Sequence, residues 1–360
     1  IEQPPQPQPS PQPSPQSSQT STTLTAAASP TWNGHGPDYA IAQLAKRART
    51  QAHGPPPHGH EMTATQAAAD VATVAAGYNA LPNKSREERD ETRIRGVRDY
   101  NNLVKRALIE QYARGAECVL DLCCGKGGDL HKWTAARPRL VVFVDIAEHS
   151  VAECRTRYEQ ARRGGGGRAT GPVPAFDARF AVADCFQSGL ERVLPAGVQY
   201  DVVSCQMALH YSFSTAACAN SAMKNVARCL RPGGYFLCTL PNADELYRRV
   251  CAAHNAPFGN SLYRVEFDRH SYPPFGARYK FWLAEAVENL PEYLVSRKIL
   301  CELAEFYGLE LVLTDTFEHY VAARAREDPA LAARASRLAP TPEEREIITL
   351  YCLYVFRKVR

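Results

Sequence analysis

From residue 92 onward the chain alternates between two hydrophobic periods. Residues 92–113 set Ile94, Val97, Leu103, Val104, Leu108 and Ile109 on one stripe, the 3.6-residue spacing of an amphipathic helix. Short apolar runs follow at 117–122, 140–145, 179–184, 200–206 and 235–240, each of strand length and each separated from the next by helical or loop sequence. Helices are expected from about Asp129, over 148–162 and over 215–230, the last ended by Arg231-Pro232-Gly233-Gly234. Residues 261–283 break the rhythm: runs at 262–267 and 278–283 flank Pro273-Pro274-Phe275-Gly276, which predicts an inserted hairpin. A helix at about 296–307 and strands at 309–314 and 350–356 complete seven strands. Strand and helix in alternation predict parallel strands, right-handed crossovers and cover on both faces. The fold class is therefore α/β: a seven-stranded, mostly parallel, Rossmann-like sheet with helices on both faces and an inserted β-hairpin.

Composition divides the chain. Residues 1–77 hold 12 of the 26 prolines, with Gln, Ser, Ala and Thr between them. Such a stretch has too little large apolar surface to offset its ordering entropy, so it is expected to be a disordered tail, leaving 78–360 as one folded domain. The first residue is Ile rather than Met, which we read as the start of an excerpt from a longer product. Lys46-Arg47-Ala48-Arg49 is too short a basic cluster to define a nuclear signal, and the glycines at 164–167 read as a flexible linker. Residues 78–360 carry 39 basic and 34 acidic side chains. That excess suits one anionic ligand at one site and argues against a protein that coats nucleic acid. The 12 cysteines form no CxxC pairs, which predicts neither a disulfide framework nor a metal site and suggests a reducing compartment. No apolar run reaches the roughly 20 residues of a membrane span. These features together predict an intracellular, soluble protein with no membrane partner.

The strongest local signal is Asp121-Leu122-Cys123-Cys124-Gly125-Lys126-Gly127-Gly128-Asp129, where the first strand turns into a helix. Glycines there let the backbone approach a ligand. Asp145 ends the second strand, 24 residues after Asp121, near the offset at which an acid meets ribose hydroxyls in nucleotide-binding α/β folds. Asp184 ends the third expected strand and is placed for an adenine edge. Three acids at successive strand ends, all on one crevice, suit a ligand with a ribose, an adenine and a cationic sulfonium or ammonium.

This pattern resembles the class I S-adenosylmethionine-dependent methyltransferases, with Cys123 standing where that superfamily has Gly. A closer resemblance, from about residue 71 to the C-terminus, is to the eukaryotic-type messenger RNA cap guanine-N7 methyltransferases. It rests on Val74-Ala75-Ala76-Gly77-Tyr78-Asn79, Arg98-Asp99-Tyr100-Asn101-Asn102-Leu103-Val104-Lys105, Ser204-Cys205-Gln206-Met207-Ala208-Leu209-His210-Tyr211-Ser212-Phe213, Thr239-Leu240-Pro241-Asn242 and Pro291-Glu292-Tyr293-Leu294-Val295. The resemblance implies S-adenosyl-L-methionine as cofactor, held by Lys105, Asp121, Cys123, Gly125, Asp145, Asp184, Gln206 and Tyr211. It implies a capped mRNA 5′ end (GpppN) as substrate, held by Asn101, Asn102, Lys126, Lys132, Arg157, His210, Glu292 and Tyr351. Lys126, Lys132 and Arg157 suit a triphosphate, and Glu292 suits the N1–H and N2–H₂ edge of guanine. No catalytic nucleophile or base and no metal are expected, because guanine N7 already carries a free lone pair.

Taken without the resemblance, Lys132 and Arg157 read as solvated helix positions, while His210 and Tyr351 read equally well as core residues. Asn101-Asn102 inside a helix is harder to explain without a contact, since Asn is a poor helix former. The alternatives are a methyltransferase with another substrate and a non-catalytic cap-binding subunit. By resemblance the protein acts in the nucleus. Candidate partners of the tail are the capping guanylyltransferase, RNA polymerase II or an activating subunit.

Overall fold

The computed structural model describes residues 62–80, 82, 88, 91–164, 173–187, 189–268 and 272–359. The Pro-rich stretch through residue 61, with its Lys46-Arg47-Ala48-Arg49 cluster, lies outside the described residues, as do positions 165–167 of the glycine linker.

The strands that build the central sheet are β1 (Cys118–Leu122), β2 (Leu140–Asp145), β3 (Asp177–Val182), β4 (Tyr200–Gln206), β5 (Leu230–Pro241), β10 (Leu309–Thr316) and β11 (Tyr351–Lys358). Their order across the sheet is β10-β11-β5-β4-β1-β2-β3. β1 to β5 pair in parallel, and β11 runs antiparallel to both β5 and β10. The seven expected strands are thus all present. β3 lies two residues upstream of its expected position, so Asp184 stands beyond the strand end rather than on it. The chain runs outward from β1 through β2 to β3, then returns to β4 on the other side. That reversal leaves a crevice at the carboxyl ends of β1 and β4, where ligands bind in open α/β sheets.

The apolar strand residues divide by alternation between two cores. Val119, Val141, Phe143, Leu353 and Val355 pack on one face with Val104 and Leu108 of the helix Arg95–Tyr112. Leu120, Leu122, Val142, Val144 and Val203 pack on the other with Met223 and Val226 of the helix Ala216–Cys229. Near-continuous apolar runs in the sequence are what a strand covered on both faces requires.

The expected hairpin belongs to a larger, four-stranded antiparallel sheet. Its strands are β6 (Phe258–Gly259), β7 (Tyr263–Phe267), β8 (Arg278–Leu283) and β9 (Val287–Tyr293), in that order. β9 sets Glu292 directly opposite Tyr279 of β8.

The expected start of the folded domain at residue 78 is corrected by helix α1 (Ala64–Ala80). Alanine is the best helix former, so a stretch poor in large apolar residues still folds when something anchors it. Here Ala67 and Asp70 are buried against the body of the protein. The helices that frame the site are α2 (Arg95–Tyr112), α3 (Leu130–Ala136) and α4 (Glu148–Arg162). Among the described residues no helix is long and apolar enough to cross a membrane.

Candidate active site

The turn between β1 and α3 is built from left-handed residues: Cys123 at φ +55°, Gly125 at +51° and Gly127 at +74°. β2 anchors it. The Cys124 N–H donates to the Val144 carbonyl at 3.1 Å, and the Gly125 N–H donates to Asp145 Oδ2 at 2.8 Å. Asp145 Oδ1 accepts the Ala147 N–H at 2.8 Å, so one carboxylate ties the glycine turn to the start of α4. Burial raises the Asp145 carboxyl above its ordinary range, and these backbone donors pull it part of the way back. Asp184 behaves alike, raised by burial and steadied by the Phe186 N–H at 2.9 Å.

Cys123, Gly125, Asp145, Asp184, Gln206 and Tyr211 all line one cavity at the carboxyl ends of the strands. The Gln206 amide is fixed at both ends. Its Nε2 donates to Ser204 Oγ and its Oε1 accepts from Thr239 Oγ1, both at 3.0 Å. Two acids, one oriented amide and apolar walls can hold a hydroxylated, partly cationic ligand.

Two residues expected on this cavity stand behind it. Asp121 is buried with Oδ2 accepting the Trp133 indole N–H at 2.9 Å, and it is absent from the lining. Lys105 is ion-paired to Asp129 at 2.8 Å. Both hold the turn in shape rather than facing the cavity.

Beyond Tyr211 lies a second cluster. The Tyr211 and Tyr78 hydroxyls are 3.1 Å apart, and the His210 and Tyr211 rings are 4.2 Å apart. Glu292 is buried; its Oε2 accepts the Tyr279 hydroxyl at 2.8 Å, and its Oε1 lies 3.6 Å from His210 Nε2. Among the described residues neither His210 ring nitrogen has a hydrogen-bond partner. Tyr351 stacks on Phe317 at 5.7 Å, and burial, then the charge of Glu292, raises its hydroxyl. Burial likewise pushes Tyr78 up to about 12, so these hydroxyls stay protonated donors. His210, Glu292 and Tyr351 are therefore brought together.

The basic residues separate. Lys126 lies on the glycine turn, its ammonium lowered by desolvation and then by the charge of Arg157. Arg157 also pairs with Glu153 at 2.8 Å. Lys132 stands apart from these two, engaged with neighbouring side chains and backbone. It is 4% exposed; its ammonium donates to Asn102 Oδ1 at 2.8 Å and the Gly128 carbonyl at 3.0 Å and is ion-paired to Asp129 at 2.7 Å. Asn102 is occupied by the same contact, whereas the buried Asn101 Oδ1 has no hydrogen-bond partner among the described residues.

Sequence reasoning missed Tyr78 and Tyr279. Tyr78 stands inside a motif that carried the resemblance but was given no role. Tyr279 could have been found only from the pairing of β8 with β9, which sets it opposite Glu292.

The sequence matches the mRNA (guanine-N(7))-methyltransferase domain over residues 61–359. It is similar to mRNA cap guanine-N(7) methyltransferase 1 of Oryza sativa subsp. japonica, with 39% identity covering 79% of this chain and 80% of that protein. The mRNA cap guanine-N(7) methyltransferase of Drosophila melanogaster is 38% identical over 79% of this chain and 69% of its own length. A solved S-adenosylmethionine-dependent methyltransferase from Clostridium acetobutylicum ATCC 824 is similar at TM-score 0.44 and 14% identity, covering 80% of this chain and 98% of that one. With the family's domain spanning the folded chain from α1 to β11, the protein belongs to the mRNA (guanine-N(7))-methyltransferase family.

Proposed function

We propose that the protein transfers a methyl group from S-adenosylmethionine to N7 of the terminal guanosine of the mRNA 5′ cap, GpppN, by direct in-line displacement. One observation carries this reading. The acid-lined cavity and the Glu292 cluster share a wall at Tyr211, so a cofactor in one half and a guanine in the other would meet there.

Bound S-adenosylmethionine supplies an activated methyl on a cationic sulfur, and the guanine N7 lone pair needs no base to attack it. The residues orient. Asp145 takes the ribose hydroxyls, Asp184 the adenine edge, and Gln206 and Tyr211 the wall nearest the reacting atoms. Glu292, held by Tyr279, accepts from guanine N1–H and N2–H₂, which an adenine cannot offer. His210 and Tyr351 give flat surfaces to the base. Lys126 and Arg157 supply positive charge for the triphosphate, with Asn101 as a further polar contact. Catalysis is then alignment together with a field suited to charge moving from sulfur to purine.

Action after guanylyl transfer is supported by the substrate itself, since GpppN must exist before its guanine is methylated; we place that step in the nucleus on the family resemblance alone. Residues ahead of α1 are the segment for contacts with a guanylyltransferase, RNA polymerase II or an activating subunit.

Glu292→Ala tests the guanine half. We expect kcat/KM for GpppG to fall by about two orders of magnitude, the loss of roughly 3 kcal/mol of charge-assisted hydrogen bonding. Calorimetric affinity for S-adenosylmethionine should stay within about twofold. Undiminished cap methylation would remove Glu292 from the site.

A further inference from the structure

Helix α1 is held by a buried ion-pair cluster that makes no part of the chemistry above. Asp70, 4% exposed, accepts two bonds from the Arg278 guanidinium: Nε to Oδ2 at 2.8 Å and Nη2 to Oδ1 at 3.1 Å. The Tyr293 hydroxyl donates to the same carboxylate, and Gln66 Nε2 donates to Oδ1 at 3.1 Å. Arg278 is clasped from its other side by Asp268. Arg278 and Tyr293 are register partners at the ends of β8 and β9, so the cluster joins α1 to one edge of the four-stranded sheet.

The same face of α1 forms a wall of the cavity through Ala67, Asp70, Val71, Val74 and Tyr78. Tyr293 lines the cavity too, while Arg278 does not. Of the 17 residues of α1 only Ala67 and Asp70 are buried. A helix with so small an apolar footing gains little from packing, and elements with few buried apolar contacts are the ones that open locally. Its docking therefore rests mainly on polar contacts: the bidentate ion pair at Asp70 and, at its far end, the Tyr78–Tyr211 contact and Asn79 Oδ1, which accepts the His149 N–H at 3.3 Å.

We propose that the Asp70–Arg278 ion pair is a latch that keeps α1 closed over the cofactor cavity, making Arg278 a positioning residue for cofactor retention rather than for methyl transfer. This rests on the reading of the cavity as the cofactor site. When the latch is broken, the fraction of molecules with α1 docked falls, and apparent affinity falls by that fraction. Once the cofactor is bound it adds its own contacts to α1, so turnover at saturation is little altered.

The test uses Arg278→Gln in the full chain, because Arg278 touches the latch and not the cavity. We expect the Kd and KM for S-adenosylmethionine to rise ~10-fold. Release of S-adenosylhomocysteine in stopped flow should speed up by a similar factor. Saturated kcat and KM for GpppG should hold within about twofold. Arg278→Lys, which keeps the charge without the fork, should fall between. Asp70→Asn combined with Arg278→Gln should be no worse than Asp70→Asn alone. A purely structural role would instead lower kcat and impair both substrates together, which would overturn the latch. Unaltered cofactor affinity in Arg278→Gln, beside lost binding in Asp145→Ala, would overturn the latch but leave the cavity reading standing. Unaltered affinity in both variants would overturn the two together.

Discussion

Asp121 sits one residue from the end of β1, yet its carboxylate shares the face of Val119 and meets Trp133, while Leu120 and Leu122 pack on the opposite face. Burial, and then the charge of Asp129, lifts its carboxyl to about 8. An unfolded aspartate titrates at about 3.9, so the folded state binds the extra proton between there and about 8. Stability therefore falls as pH rises through that window, by at most ~1.4 kcal/mol per pH unit. Lys132, lowered to about 8 by burial, remains charged over most of that window. Asp121→Asn keeps an acceptor for Trp133 and removes the titration. We expect its Tm to exceed the parent's at about pH 8 and the gap to close as pH falls to about 4; an equal gap at both pH values contradicts the assignment.

Cys123 holds a backbone conformation that costs an L side chain about 1–2 kcal/mol. Cys123→Gly and Cys123→Ala both delete the thiol, so their difference reads the backbone alone. Urea denaturation should show the glycine variant more stable by about 1 kcal/mol, and equality would deny the strain. The position of Asp145 at the end of β2 was legible in the sequence because a hydrophobic run fixes where that strand ends, whereas Asp184 falls two residues past the end of β3. The role of Asp121 was not legible, since strand periodicity alone does not say which face will supply a partner. The internal partners of Lys132 were hidden for a similar reason. Spacing on α3 shows a basic residue, but only the tertiary meeting of α2 with α3 brings Asn102 to its ammonium.

At the scale of elements, the glycine turn and α4 are fitted to each other. A Cβ on Gly127 would lie 2.8 Å from Cys154 Sγ, at a φ of +74° that already disfavours a side chain. Gly127→Ala should cost roughly 2–4 kcal/mol by thermal or urea denaturation. Adding Cys154→Ala should recover part of it, so that the double variant is more stable than the two single losses sum to. Simple additivity would mean that the contact does not decide the packing. Among the elements that sequence reading missed, α1 and β9 bear on the site. α1 was averaged into a Pro-rich composition although residues 64–80 contain no proline. β9 carries Pro291 and an acid at 292 in a run too polar to signal a strand, yet its pairing with β8 builds the Glu292 cluster.

At the scale of the whole molecule, the reversal of the chain between β1 and β4 creates the crevice, and three additions convert it into a two-part site. The four-stranded sheet delivers Glu292 and Tyr279, α1 closes one wall, and the antiparallel β11 brings Tyr351. The most direct measurement is transfer of labelled methyl from S-adenosylmethionine to GpppG, GpppA and ApppA. Label at guanine N7 of the first two, with none in ApppA, is the expected result. Equal labelling of ApppA, or label at a position other than N7, would contradict recognition of the cap guanine by this site.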